Sequence, residues 1–113
     1  MNQNTNHEIS LQSAIEMTRL YRANRPANFP LSESFDVSAV QKLLATEGAA
    51  FLRVYYGMKE NDEVDAILVA VNAEGEDILP SATTSLVTSD GALILEDGFR
   101  CPEFCPGDSP LSQ

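Results

Sequence analysis

Histidine is almost absent from this chain of 113 residues, and the one present, His7, lies in a polar amino-terminal stretch. Histidine is the usual general base near neutral pH, and Ser-His-Asp or Cys-His catalysis needs one at a fixed geometry. Residues close to a terminus are poorly held unless they are tied down. The sequence also lacks a glycine-rich phosphate loop and a dinucleotide fingerprint. We therefore predict no catalytic residue and no cofactor, and we lean towards a protein that is not an enzyme.

Basic side chains are scarce in the second half of the chain. Residues 1–59 carry six basic and five acidic side chains, whereas residues 60–113 carry twelve acidic side chains and one basic residue, Arg100. The net charge is −10. Such a surface repels phosphate backbones and anionic lipids, which disfavours nucleic acids and membranes as partners. The acidic half either keeps the protein soluble or forms a docking face for a basic partner, and the sequence leaves both hypotheses open.

Long apolar runs are missing as well. No stretch approaches the roughly 20 apolar residues of a membrane-spanning helix, and the first residues lack the basic and apolar blocks of a secretion signal. We therefore expect a cytoplasmic protein. A chain of this length forms one domain with a modest core. We divide it into a disordered terminus at residues 1–8, a single α+β domain at residues 9–98 and a Cys/Pro-rich tail at residues 99–113.

The first half of the chain has two helical patterns. From Ser10 to about residue 24, apolar residues recur at spacings of three and four, and Pro26 then ends the helix. A second helix is expected at residues 37–47, with Asp36 as its N-cap and Gly48 as the left-handed residue after its end. We expect residues 26–34 to form a loop between these helices.

The pattern then changes to the period of two that is typical of strands. Residues 50–58 alternate, which places four apolar side chains on one face: Leu52, Val54, Tyr56 and Met58. Residues 64–72 resemble a buried central strand, and further strands are expected around residues 77–79 and at residues 92–96, after an Asp90-Gly91 hairpin turn. The predicted fold is α+β, with two N-terminal helices packed on a mainly antiparallel sheet of about four strands and an irregular C-terminal tail.

Both cysteines, Cys101 and Cys105, lie in the tail, and each precedes a proline. Proline biases the residue before it towards an extended conformation, and four extended steps would separate the two Cα atoms by about 13 Å. A disulfide needs less than about 7 Å, so it requires a turn at Glu103-Phe104. We favour free thiols because cytosolic proteins keep cysteines reduced, while a disulfide and a metal site shared between two copies remain open.

Arginines spaced by three end the first helix: Arg19, Arg22 and Arg25. They either balance the helix dipole and the acidic half of the chain, or bind an anionic ligand together with Arg53 and Tyr55. The candidate ligand-binding residues are therefore Arg19, Arg22, Arg53 and Tyr55.

A cluster of acidic residues follows the first predicted strand: Glu60, Asp62, Glu63 and Asp65. It lacks the glycine and the distal glutamate of an EF-hand loop. We interpret the cluster as a solvated hairpin tip and predict no metal site.

Several segments together resemble a family of small uncharacterised bacterial proteins. They are residues 14–18, 21–22, 33–36, 53–58, 66–71 and 77–80, followed by the tail with Arg100-Cys101-Pro102, Cys105-Pro106 and Ser109-Pro110-Leu111. The similarity runs from about Ile9 to the tail. The resemblance implies a single domain that includes its tail. It implies no catalytic or binding residue, since that family has no known activity.

The leading functional hypothesis is a non-enzymatic binding or protein-interaction module. A proline-stiffened tail loses little entropy on docking, so Cys101, Phe104 and Cys105 are its candidate contacts with an unknown protein partner. The alternatives are a thiol redox or metal-responsive protein acting through Cys101 and Cys105, and a binder of small anionic ligands through the arginine-tyrosine pocket. We also expect that a homodimer can form, because an antiparallel edge strand or an uncovered sheet face can pair with a second copy.

Overall fold

Two helices and five short or medium strands make up the computed structural model of the protein, which describes residues 6–80 and 92–112. In chain order the elements are α1 (Leu11–Asn24), β1 (Ser32–Ser34), α2 (Val37–Leu44), β2 (Phe51–Met58), β3 (Val64–Val71), β4 (Ile94–Leu95) and β5 (Phe99–Cys101). One sheet has the order β2-β3-β4 and the other pairs β1 with β5. All of these pairings are antiparallel. The α+β class and the antiparallel sheet are therefore confirmed, while the Asp90-Gly91 turn lies outside the described residues.

Both helices begin at the caps that the sequence indicates. The Ser10 hydroxyl accepts a hydrogen bond from the Ser13 amide at the start of α1, and the Asp36 carboxylate accepts one from the Ser38 amide at the start of α2. The second helix ends at Leu44 rather than at residue 47. The Thr46 hydroxyl donates to the Leu43 carbonyl at 2.6 Å, so a local side-chain bond satisfies a carbonyl that another helical turn would otherwise have used.

Strands β2 and β3 form the longest ladder of the fold. Their register is continuous from Phe51 opposite Val71 to Met58 opposite Val64. The turn between them is closed by the Lys59 amide, which donates to the Glu63 carbonyl at 2.9 Å. The sequence predicted both strands to within one residue at each end.

Two strands were absent from the sequence interpretation. Residues 26–34 were expected to be a loop and the tail to be irregular, but β1 pairs with β5, with Ser32 opposite Cys101 and Ser34 opposite Phe99. The segment Ser32–Ser34 has no apolar alternation, so its pairing depends on tertiary contacts. The strand predicted around residues 77–79 is reduced to an isolated bridge between Val71 and Asp77.

The core lies between α2 and one face of the larger sheet. Leu43 packs with Leu68 and Ala70 at its centre. Residues partly buried around them are Phe35, Ala49, Ile78, Leu93 and Leu95. The second helix thus covers the β3–β4 side of the sheet. In contrast, α1 has no fully buried residue.

Polar bonds connect α1 to the segment that follows it. The Tyr21 hydroxyl donates to the Pro30 carbonyl, and the Arg25 guanidinium donates to the Phe29 carbonyl at 2.6 Å. Three large apolar side chains of α1 remain exposed: Leu11, Met17 and Leu20. In the described ranges, neither helix has the length and apolar character needed to cross a bilayer.

Candidate functional site: the outer edge of strand β2

The hydrogen-bond directions along β2 follow from its register with β3. Lys59 and Glu63 continue the ladder and are joined by a backbone hydrogen bond. Bonded and non-bonded pairs alternate along an antiparallel ladder. Odd-numbered residues of β2 therefore bond to β3, and the even-numbered ones direct their N–H and C=O groups to the outer edge. These outward residues, which we call the β2 row, are Leu52, Val54, Tyr56 and Met58.

The partners of β3 confirm this alternation from the other side. The backbone N–H and C=O groups of its even-numbered residues point away from β2, and each of these residues is hydrogen-bonded or paired with another segment. The Val64 amide donates to the Asn28 carbonyl, and the Ala66 amide donates to Glu33 Oε1 at 2.8 Å. Farther along the same edge, Leu68 pairs with Leu95 and the Ala70 carbonyl accepts from Ile78. The edge of β3 that faces away from β2 is therefore covered along its length.

In the part of the chain that the structure describes, no segment covers the outer edge of β2. Strand β2 is terminal in its sheet, and among residues 6–80 and 92–112 the backbone groups of the β2 row have no hydrogen-bond partner. Natural edge strands are usually protected by proline, lysine, a bulge or a short length. Strand β2 has eight residues in an unbroken register, without proline or lysine. It therefore offers an unprotected edge.

The side chains of the β2 row are exposed as well as apolar. Leu52 and Val54 each have 43% of their surface exposed, Met58 has 64% and Tyr56 has 77%. Residues two apart share a face. Leu52 lies opposite Ala70 on β3 and Val54 lies opposite Leu68, and both of these β3 residues pack in the core below α2, so the row lies on the sheet face that α2 covers farther along. The uncovered part of that face is thus next to an open strand edge.

A groove of about 570 Å³ adjoins the β2 row. Val54, Tyr56 and Leu68 contribute the sheet side of its lining, and Tyr21 and residues 29–33 and 35 contribute the other side. Burial raises the pKa of Tyr21 above its usual value. The groove is large enough for side chains of a bound segment.

Glu33 is a polar residue of the groove with one buried carboxylate oxygen that lacks a hydrogen bond among the described residues. Its Oε1 atom accepts the Ala66 amide hydrogen bond, but its buried Oε2 atom has no hydrogen-bond partner in the part of the chain that the structure describes. Burial raises the pKa of Glu33 above its usual value, although the bond from Ala66 opposes this shift. Sequence reasoning did not single out Glu33, because a lone glutamate in a predicted loop gives no signal.

The predicted arginine-tyrosine residues lie in three places. Arg53 Nη1 is 2.6 Å from Asp77 Oδ1, and the Tyr55 hydroxyl donates to the other oxygen of Asp77. The Arg22 guanidinium donates to the Leu111 carbonyl at 2.6 Å, and Arg19 is exposed on α1. The structure thus brings Arg53 and Tyr55 together around a carboxylate of the same chain. An external anion at this position would have to compete with Asp77.

The tail cysteines form a disulfide, which corrects the preference for free thiols. The Phe104 amide donates to the Arg100 carbonyl at 2.7 Å, and this turn brings the Cα atoms of Cys101 and Cys105 to 4.6 Å. Cys101 is buried, whereas Cys105 and Phe104 are exposed. Within the described ranges, no three side chains are grouped as a metal site would require.

Asp65 contradicts the interpretation of the acidic cluster as entirely solvated. It is only 2% exposed, Arg100 donates to its Oδ1 atom, and Lys59 Nζ lies 3.3 Å from its Oδ2 atom. Burial alone would raise the pKa of Asp65, but the hydrogen bond from Arg100 and the charge of Lys59 outweigh it and lower the pKa. The available sequence signal was Arg100, the single basic residue of the acidic half.

Comparison with known proteins does not add a relative to these observations. No family model, curated protein or solved structure matches the chain.

Proposed function

We propose that this protein is a non-catalytic protein-binding module that binds an extended segment as an additional strand along β2. In this mode of recognition, main-chain hydrogen bonds supply affinity and pockets for alternate side chains supply specificity. The observation that carries the proposal is the β2 row, whose backbone groups find no partner in the described part of the chain and whose side chains are exposed. A bound strand would form hydrogen bonds with these backbone groups and would cover these side chains.

The groove supports the same function. It begins at Val54 and Tyr56, so an apolar side chain of a bound strand would enter it from the edge of the sheet. Its lining is mainly apolar, and Glu33 offers one buried carboxylate oxygen to a hydrogen-bond donor. We propose that the bound segment carries an apolar residue at the position that faces Val54.

The tail supports a partner contact less well than β2 does. Its first residues, Phe99–Cys101, pair with β1, and Cys101 is buried. Phe104 is exposed and packs edge-on against Phe99, with ring centroids 5.2 Å apart. We therefore propose that the tail stabilises β1 through the β1–β5 pairing and that the partner binds at the outer edge of β2.

Site-specific photo-crosslinking in cells tests this function. A benzophenone amino acid replaces Tyr56, which is 77% exposed, in one variant and Leu20 of α1, which is 66% exposed, in the control. We expect a discrete crosslinked protein from position 56 but not from position 20. Adding Val54→Pro should abolish the product, because proline removes an outward N–H group while the bonds to β3 remain. A product that is unaffected by Val54→Pro, or no product at position 56, would contradict strand addition.

A thiol redox function is the second candidate. The observation that favours it is the unequal burial of the two cysteines, since Cys105 is exposed whereas Cys101 is buried. Equilibration in glutathione buffers tests the idea, with the thiol fraction measured by mass spectrometry. A pair that opens within the range of cellular glutathione potentials supports a redox role, and a pair that stays closed over that range excludes it.

A further inference from the structure

We infer that the segment that binds β2 is the β2 strand of a second copy of this chain, so that the protein forms a symmetric dimer with a continuous sheet. The inference rests on the proposed function, because it names the partner of the same edge. A two-fold axis places identical surfaces opposite each other, and two identical strands related by such an axis are antiparallel. The joined sheet then has three strands from each copy.

The outward residues determine the register of this pairing. Among the described residues of β2, the members of the β2 row are those whose backbone groups point away from β3, so each must face another member in a hydrogen-bonded pair. All four are used when Leu52 faces Met58 of the second copy and Val54 faces Tyr56 of the second copy. A shift by two residues in either direction leaves an outward residue of each strand beyond the end of the other strand. The complete register places the two-fold axis beside Tyr55.

The side chains are compatible with this register. On the groove face, Leu52 meets Met58 and Val54 meets Tyr56, which are pairs of apolar or aromatic side chains. On the opposite face, Arg53 meets Gly57, which has no side chain to obstruct it, and Tyr55 meets its own copy. Tyr56 of one copy also lies beside Val54 at the end of the groove of the other, so the most exposed residue of the row becomes covered.

Charge favours β2 as the place where two such acidic chains meet. Each chain has a net charge of −10, so most pairs of faces would repel. The segment Phe51–Met58 has no acidic side chain, and its one basic residue, Arg53, is neutralised by Asp77 of its own chain at 2.6 Å. Two copies of β2 can therefore approach with less repulsion than two copies of the acidic segment at residues 60–113.

Cysteine crosslinking tests the register directly. Residues on the axis form a non-hydrogen-bonded pair with Cα atoms about 4.5 Å apart, which is within the range of a disulfide. Tyr55→Cys should therefore give a covalent dimer on mild oxidation. Met58→Cys is the matched control: it lies on the same exposed edge, but its own copy is six residues along the partner strand, about 20 Å away.

The mass of the unmodified protein in solution is the second measurement. Light scattering at about 100 µM protein should give twice the 12.3 kDa of one chain. Val54→Pro should give a single chain, while Leu20→Lys on α1 should leave the dimer unchanged. Circular dichroism of both variants checks that the monomer remains folded.

Two outcomes would overturn the dimer. One is a chain that stays at 12.3 kDa at this concentration, and the other is crosslinking of Tyr55→Cys no faster than that of Met58→Cys. These failures are distinct from failure of the proposed function. If the protein is monomeric but position 56 crosslinks to another protein and Val54→Pro abolishes that product, strand addition is correct and its occupant is not a second copy.

Discussion

Among the described residues, Asp65 is the most completely buried charged side chain, and its partners come from distant parts of the chain. Arg100 approaches from β5 and Lys59 from the end of β2. Lys59 also contacts Asp97, at 2.8 Å, but Asp97 is 80% exposed. Removing one partner of a buried ion pair leaves the other charge uncompensated, whereas an exposed pair contributes little.

The two aspartates therefore provide a matched pair of substitutions. Asp65→Asn should lower the free energy of unfolding by about 3 kcal/mol, since the largely buried Arg100 would lose its nearest counter-ion and keep only the longer contact with Glu63. Asp97→Asn should lower it by less than about 1 kcal/mol, because solvent screens that contact. Urea denaturation at pH 7 measures both values. Equal losses would show that Asp65 is not the charge that holds β5 in place.

The pH dependence has a defined sign for Asp65. Its pKa is lowered in the folded state, so the stability it contributes is present above the unfolded pKa of about 3.9. That contribution is lost as the pH falls through the lower, folded value. The same urea titrations repeated from pH 6 to pH 2 should show that the free energy of unfolding falls less for Asp65→Asn than for the unmodified chain.

At the scale of elements, the disulfide closes a turn that supports the β1–β5 pair. The Leu31 amide donates to the Cys101 carbonyl at 2.8 Å, next to the bridge of Ser32 with Cys101. The closed loop is short, because the cysteines are four residues apart. In the chain-entropy model a loop of this size contributes about 2 kcal/mol.

Reduction should therefore lower the free energy of unfolding of the unmodified protein by about 2 kcal/mol. Parallel denaturation curves with and without a phosphine reductant measure this difference. The double variant Cys101→Ala, Cys105→Ala controls for other effects of the reductant and should give coincident curves. If reduction leaves the unmodified curve unchanged, the turn is held by Phe99, Phe104 and the backbone, and the disulfide is dispensable for the fold.

The elements that the sequence predicted correctly are those that carry their own local signal. Helix α1 has a serine cap and a proline stop, and β2 and β3 have long apolar patterns. The segments Ser32–Ser34 and Phe99–Cys101 have neither signal. Each becomes a strand because the other lies beside it, and Arg100 reaches Asp65 from the paired position. Such long-range pairing has no period that a single sequence can display.

The candidate site was predicted in part. The alternation of residues 50–58 placed the members of the β2 row on one face, and an edge or an uncovered face was expected to allow self-pairing. Which edge is open could not be predicted, because Asn28, Glu33, Ile78 and Leu95 cover the far edge of β3 from four separate segments. The cysteines were assigned by compartment rather than by geometry, and the turn at Phe104 decides their pairing.

For the whole molecule, net charge and strand pairing act in opposite directions. Two chains of −10 repel at long range, and this repulsion extends over a Debye length of about 10 Å at 0.1 M salt. Backbone hydrogen bonds and apolar contacts along β2 are short-range and respond little to salt. A dimer of this kind should therefore become tighter as salt screens the repulsion. Docking of a basic partner on the acidic half would instead become weaker.

Sedimentation equilibrium of the unmodified protein distinguishes these two behaviours. Raising sodium chloride from 25 to 500 mM should lower the dimer dissociation constant by about tenfold, which corresponds to about 1.4 kcal/mol of relieved repulsion. Val54→Pro should remain a monomer at both concentrations, which excludes non-specific salting out as the cause. Dissociation at high salt would show that opposite charges hold the copies together. Phe51–Met58 has a single charged residue, Arg53, which is already paired with Asp77. That result would therefore show that the interface does not lie at β2.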